Sequence, residues 1–218
     1  MNREEIVKKI KKEKIVAIVR TKERSEVSTL LKSIINGGLS LVEITANTPS
    51  FSQEITNARN LYSNADVLIG AGTVTTVKIA KEAIESGAQF LVTPNTNIAV
   101  IKIAHKHNIP VLMGAITPSE ICSAVENGAD IIKLFPAGNL GIDYFKAIRA
   151  PLDTVDFFVV GGINLLNLAD WMAAGAAGVG LGSVLTTSKD VNGILVSTED
   201  TANTFVQLIR NWNGSTQN

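Results

Sequence analysis

Two charged residues interrupt runs that are otherwise apolar. Lys133 sits in Ile131-Ile132-Lys133-Leu134-Phe135, and Glu43 in Leu41-Val42-Glu43-Ile44-Thr45. An ammonium group held out of water loses proton affinity, because burial penalises its charged form, and a partly neutral amine attacks carbonyls to form a Schiff base. A carboxylate in the same surroundings is pushed up by burial and down by a neighbouring lysine, which suits proton transfer near neutrality. Together they form a nucleophile and an acid/base pair, the minimum for carbonyl chemistry. Each also has a plainer reading: Lys133 pointing outward between helices with its head in solvent, and Glu43 as half of a structural ion pair with Arg20 or Lys133. The place of Lys133 near a strand end, followed directly by Pro136-Ala137-Gly138, favours the chemical reading.

A second group of residues suits an anion. Gly161-Gly162 and Gly180-Leu181-Gly182-Ser183 each follow or end an apolar run. Exposed backbone N–H groups and a helix start can hold a dianion there without positive side chains. Glycines between strands and helices more often serve only as turn formers, but their coincidence at two successive strand ends favours a ligand. Other candidates carry no chemistry. His105 and His107 lie two apart on a helical stretch and cannot face one metal ion together. Cys122 has no nearby motif and reads as buried filling. No metal-ligand set is recognisable, and neither a metal nor any other cofactor is expected.

These residues need elements to position them. Short apolar, β-branched runs occur at Ile15 to Arg20, Leu39 to Thr45, Val67 to Gly72, Phe90 to Thr93, Val111 to Ala115, Ile131 to Phe135, Phe157 to Gly161 and Val179 to Gly182. Segments of helical periodicity alternate with them, among them Ser25 to Ile35, Val77 to Glu85, Ile98 to His107, Glu120 to Glu126, Tyr144 to Arg149 and Asn164 to Ala174. Asn36-Gly37-Gly38, Ser86-Gly87-Ala88, Asn127-Gly128-Ala129 and Ala174-Gly175-Ala176 each close a helix and lead into a strand. Eight such units predict a closed parallel (β/α)8 barrel, with an open doubly wound sheet as the alternative. Thr21-Lys22-Glu23-Arg24 after the first strand, in place of a glycine fingerprint, favours the barrel. The segment Arg3 to Lys12, with Ile6, Val7 and Ile10 on one side, predicts an extra N-terminal helix packed over one end. No linker is visible, so residues 1–218 read as one domain.

In a barrel the site lies at the C-terminal strand ends, where Arg20, Glu43, Thr45, Thr73, Thr93, Lys133 and the late glycines fall. Strand alternation puts Val16, Ile18 and Arg20 on one face, as it does Leu41, Glu43 and Thr45, and Ile131, Lys133 and Phe135. Composition narrows the partners. Twenty basic residues balance twenty acidic ones, which excludes a protein built to neutralise a nucleic-acid backbone. The charged start, the single cysteine and the Gly, Ala, Ser and Thr content of Ala173 to Ser188 predict a cytoplasmic chain with no membrane span.

Val42-Glu43-Ile44-Thr45, Ile69-Gly70-Ala71-Gly72-Thr73-Val74, Val92-Thr93-Pro94-Asn95, Ile132-Lys133-Leu134-Phe135-Pro136-Ala137 and Val160-Gly161-Gly162-Ile163, in this order, resemble the 2-keto-3-deoxy-6-phosphogluconate aldolases. The resemblance runs from about Ile15 to Leu185. It implies a class I aldolase on a (β/α)8 barrel, a homotrimer, splitting a small keto-acid sugar phosphate into pyruvate and glyceraldehyde 3-phosphate, with 4-hydroxy-2-oxoglutarate as a further substrate. By the same resemblance Lys133 is the Schiff-base lysine and Glu43 the general acid/base. Thr73 and Pro94 line the pyruvate moiety, Gly161, Gly162 and Ser183 hold phosphate, and Phe135 and Gly182 complete the substrate site. Two positions depart from the family pattern: Asn47 replaces an arginine that holds the substrate carboxylate, and Val160 replaces a threonine. Arg20 is expected to supply the missing cation. Both departures resemble the sister enzymes that cleave the 6-phosphogalactonate epimer. Rival readings are a phosphate-binding barrel isomerase or epimerase, which needs the carboxylate but no lysine nucleophile, and a barrel that only binds a sugar phosphate.

Overall fold

Runs of Val, Ile and Leu too short for a helix, separated by helices with one apolar face, leave the chain few ways to bury both. It does so as a closed barrel. The computed structural model describes residues 1–63, 66–189 and 192–212. After helix α1 (Arg3–Glu13) come β1 (Ile15–Val19), α2 (Glu26–Asn36), β2 (Leu41–Thr45), α3 (Phe51–Leu61), β3 (Leu68–Gly72), α4 (Val77–Glu85), β4 (Leu91–Val92), α5 (Ile98–Lys106), β5 (Val111–Ala115), α6 (Pro118–Glu126) and β6 (Ile131–Leu134). The chain continues through α7 (Ala137–Leu140), α8 (Ile142–Arg149), β7 (Phe157–Val160), α9 (Leu168–Ala173), β8 (Gly178–Leu181), α10 (Val184–Thr187) and α11 (Thr198–Arg210). The strands are ordered β1 to β8 in sequence, all parallel, and β8 pairs with β1 through Ile15 with Val179 and Ala17 with Leu181. The expected eight-stranded barrel is the observed fold. Strand ends differ from expectation by a residue or two; Arg20, Thr93, Phe135, Gly161 and Gly182 lie just beyond their strands.

Two apolar layers hold this arrangement. Alternate strand residues point outward and pack under the helices, among them Val42, Ile44, Ile69, Ile132 and Val159. The others fill the barrel: Val16, Leu41, Leu68, Phe90, Val92, Leu112, Ile131 and Phe158 form a separate interior cluster. That cluster also contains Ile6 and Ile10 of α1, so the N-terminal helix closes the end of the barrel opposite the C-terminal strand ends. Asn2 and Glu5 start α1 with reciprocal hydrogen bonds, the Asn2 side chain accepting from Glu5 N at 2.9 Å and Glu5 Oε2 from Asn2 N at 2.8 Å. Lys9, nearly buried on the same helix, pairs with Asp66 before β3. No helix among the described residues is long and apolar enough to cross a membrane.

Three features differ from the sequence reading or extend it. α3 and α11 lie outside the helical segments picked out by periodicity, since their buried residues are spaced among many polar ones: Phe51, Ile55 and Ala58 in α3, Ala202, Phe205 and Val206 in α11. Cys122 is exposed on the outer side of α6 rather than buried, because Ile121 and Ala124 take the inward positions. The interior is filled by pairing bulk with absence of bulk: a Cβ at Gly70 would lie 2.5 Å from the Phe90 ring, and one at Gly178 would overlap Phe158 and approach the Lys14 carbonyl.

Gly178→Ala therefore overpacks the interior and should cost about 1–3 kcal/mol. Urea unfolding measures it, and an unchanged midpoint would show that Phe158 has room to move.

Candidate functional site

The barrel's plugged end leaves the other open, and strand alternation decides what reaches it. Glu43 stands two residues beyond the interior Leu41, Lys133 two beyond Ile131 and Ile18 two beyond Val16, so all three rise from the interior cluster towards the mouth. Above them is a cavity of about 590 Å³. Its lining includes Lys133, Glu43, Arg20, Thr73, Pro94, Phe135, Gly161, Gly162, Gly182 and Ser183, all ten residues singled out from the sequence. Asn47, Val160, Ile18, Leu30, Val184 and Thr186 complete much of the wall. Two open surface depressions elsewhere, of about 500 and 540 Å³, are smaller and contain neither Lys133 nor Glu43.

Both charged groups are almost dry: Glu43 is 2% exposed and Lys133 6%. Burial pushes the Glu43 carboxyl above the usual carboxylate range, and the charges of Lys133 and Arg20 pull it part of the way back. Burial lowers the Lys133 amine; Glu43 raises it and Arg20 lowers it further. Both groups are thus moved towards forms that exchange protons near neutrality. Among the described residues no ion pair joins Lys133 to Glu43 within 4.0 Å, so the structural ion-pair reading of Glu43 does not hold. The carboxylate and amine act on each other across open cavity. The Phe135 ring lies 5.3 Å from Lys133 Nζ and supplies a cation-π contact without a proton acceptor.

The surroundings fix these groups from across the barrel. A Cβ at Gly72 would come within 2.5 Å of Glu43 Oε1, so glycine at this strand end makes room for the carboxylate. The next residue, Thr73, has φ +57°, a strained conformation for a β-branched side chain. Its Oγ1 accepts from Arg20 Nη2 at 3.5 Å, which places the guanidinium at the mouth beside Asn47. The β1–α2 loop is tied down behind Arg20: Arg24 pairs with the nearly buried Glu54 at 2.7 Å, and Thr48, hydrogen-bonded to Thr45, accepts from Thr21 N. Thr93 Oγ1 donates to Asn95 O and accepts from Gly114 N, both at 2.7 Å, and this brackets Pro94. Thr45 and Thr93 are therefore supports rather than lining residues.

Between the strands of Lys133 and Arg20 the β7 and β8 ends present peptide groups. Gly161 and Gly162 both have positive φ, +92° and +77°. Among the described residues the N–H groups of Gly162, Gly182 and Ser183 donate to no protein acceptor. The helices that follow, α9 and α10, have six and four residues, so free peptide N–H groups rather than a long helix dipole are what this wall offers an anion. The other residues weighed from sequence lie elsewhere: His105 contacts Asp130 at 3.0 Å on the outer face, and no group of three His, Cys, Asp or Glu side chains gathers among the described residues.

The sequence reading missed the supports. Gly72 and Gly114 act through close contacts with residues far along the chain. The only available signal was the density of glycine within strands, which in a barrel marks a close approach.

Known proteins bear on the same features. The family described as "Aldolase: KDPG and KHG aldolase" matches residues 6–199. The chain is 37% identical to the 2-dehydro-3-deoxy-6-phosphogalactonate aldolase of Escherichia coli (strain K12) over 172 residues, 78% of this chain and 83% of that protein. A solved structure described as native KDPGal superposes with a TM-score of 0.80 at 35% identity, covering 90% of this chain and 94% of the other. The KDPG aldolase of Legionella pneumophila, with pyruvate captured as a covalent carbinolamine, has a TM-score of 0.74 at 27% identity, covering 90% and 92%.

The charge arrangement predicts opposite shifts for two substitutions. Arg20→Met removes a charge that disfavours the ammonium and should raise the pH midpoint for Lys133 modification by trinitrobenzenesulfonate, whereas Glu43→Gln removes one that favours it and should lower that midpoint. Mass spectrometry of the labelled peptide reads both, and shifts in the same direction would contradict the arrangement. Salt should shrink the Arg20 effect, because that side chain is exposed.

Proposed function

The chain belongs to the KDPG and KHG aldolase family and is a carbon–carbon lyase; from that premise we propose that it is a class I aldolase cleaving 2-keto-3-deoxy-6-phosphogluconate to pyruvate and glyceraldehyde 3-phosphate. The observation that carries this reading is a nearly dry lysine and a nearly dry carboxylate facing one cavity whose wall at the β7 and β8 ends presents unpaired peptide N–H groups.

In this reading the neutral Lys133 amine adds to the C2 ketone. Glu43 moves protons while the carbinolamine loses water, and the protonated imine becomes an electron sink. Glu43 then takes the C4 hydroxyl proton, the C3–C4 bond breaks, and its electron pair passes into the imine to give an enamine. The aldehyde phosphate leaves from the glycine side. Protonation of the enamine carbon and hydrolysis release pyruvate and regenerate the amine. Arg20 and Thr73 receive the carboxylate, and Gly162, Gly182 and Ser183 the phosphate. A volume of about 590 Å³ suits a six-carbon acid phosphate. The same reading has the chain working as a homotrimer, for which the exposed Leu165 and Leu166 beside the site offer apolar surface.

A second reading concerns the C4 epimer. Val160 lines the cavity with an apolar side chain directly before Gly161, offering a C4 hydroxyl no hydrogen bond, and Asn47 adds no charge to the same cavity. These two positions favour 2-keto-3-deoxy-6-phosphogalactonate.

Borohydride with pyruvate should inactivate the protein with an irreversible mass gain on Lys133, and an unmodified Lys133 would sink the aldolase reading. Glu43→Gln should still be trapped yet lose about 10²- to 10⁴-fold in turnover, measured by coupling pyruvate release to lactate dehydrogenase. kcat/KM for both epimers and for 4-hydroxy-2-oxoglutarate orders the substrates: a higher value for the galactonate epimer selects the second reading, a higher value for the gluconate epimer the first.

A further inference from the structure

The Gly161-Gly162 loop has two consecutive left-handed residues and leads into Ile163, with α9 starting only at Leu168. Regular structure does not hold it. Two hydrogen bonds to its carbonyls do. Gly138 N, from the segment just beyond the Lys133 strand, donates to Gly161 O at 2.8 Å. Asn167 Nδ2 donates to Gly162 O at 2.9 Å. In a trans peptide the carbonyl and the following N–H point in opposite directions. Fixing Gly161 O outward therefore turns the Gly162 N–H inward, and fixing Gly162 O does the same for the N–H of Ile163. Neither N–H has a protein acceptor among the described residues, and both residues line the cavity.

Asn167 is not a cavity residue. It lies behind the loop, in the wall of an open depression shared with Gly138, Asn139 and Trp171. It occupies the position before the first residue of α9, where asparagine usually caps the helix with its own oxygen, yet it makes no such bond. Its amide is committed elsewhere at both ends: Oδ1 accepts from Asn164 N at 2.9 Å while Nδ2 reaches Gly162 O. Asn164 Oδ1 in turn accepts from Leu166 N and Asn167 N, at 2.9 and 3.1 Å, which holds the turn that carries Asn167.

We propose that Asn167 is a positioning residue that, by clamping the Gly162 carbonyl from outside the cavity, aims peptide N–H groups at the substrate phosphate and so sets the preference for phosphorylated over unphosphorylated keto acids. The inference rests on the reading above that the phosphate binds at the glycine side. It predicts an effect confined to the anionic end of the substrate, leaving Lys133 and Glu43 chemistry intact.

Asn167→Asp provides the sharpest test. Aspartate matches asparagine in size and caps helices equally well, but offers the Gly162 carbonyl an acceptor instead of a donor. Removing the clamp should raise KM for the 6-phosphorylated substrate by about tenfold, the worth of one such hydrogen bond. The expected kcat stays near that of the unaltered protein, as do kcat/KM for 4-hydroxy-2-oxoglutarate and the rate of borohydride trapping with pyruvate. Asn167→Ala should behave alike, and inhibition by inorganic phosphate should weaken in both. Equal losses on phosphorylated and unphosphorylated substrates, or no change on either, would overturn the proposal while the unaltered protein still prefers the phosphate. If the unaltered protein shows no such preference, the phosphate reading itself falls, and this inference with it.

Discussion

Keeping one ammonium and one carboxylate out of water in the same apolar mouth is the demand that organises this molecule. Each such ion costs several kcal/mol to desolvate, and their attraction, without a contact ion pair, restores only part of that. What remains appears as displaced proton affinities, up for Glu43 and down for Lys133. A flexible scaffold would relax the cost by admitting water or letting the side chains escape. Here both sit on strands whose backbone is tied into a closed sheet, directly above a filled interior, and neither can leave.

Glycine is how the barrel reconciles that interior with the groups above it. Gly70 admits the Phe90 ring and Gly178 the Phe158 ring below the site; Gly72 admits the Glu43 carboxylate, and Gly114 the Pro94 to Asn95 backbone, at its level. Each is a strand position where a neighbour needs the space a Cβ would take. The plug by α1 makes the two ends unequal, so the polar residues that alternate inward meet solvent only at the C-terminal mouth.

The mouth draws positive potential from two kinds of group. Arg20 and Lys133 outweigh Glu43 in side-chain charge, and the β7 and β8 ends, which lie between their two strands, add peptide N–H groups. A chain of zero net charge can therefore present an electropositive mouth, because oriented peptide dipoles supply positive potential that a count of charged residues does not register. Gly138 ties the glycine loop to the Lys133 strand, since its N–H holds that loop while its own segment continues the strand.

The sequence by itself determined the eight strands and favoured their closure and the inward faces of Glu43 and Lys133, since these follow from local alternation and from glycines at helix ends, with φ of +94° at Gly38 and +96° at Gly175. It could not give the exposure of Cys122, because a short helix with apolar residues at Ile121, Ala124 and Val125 fits more than one rotation. It passed over α3, whose few buried residues are diluted by polar ones. Tertiary structure alone decided that Gly72 makes room for Glu43, that Thr93 brackets Pro94 and that Asn167 serves the glycine loop instead of its own helix. Those contacts join a side chain to backbone across strands or around a left-handed turn, and their geometry exists only once the barrel has closed; residue type and spacing fix periodicity along the chain, not distance across it.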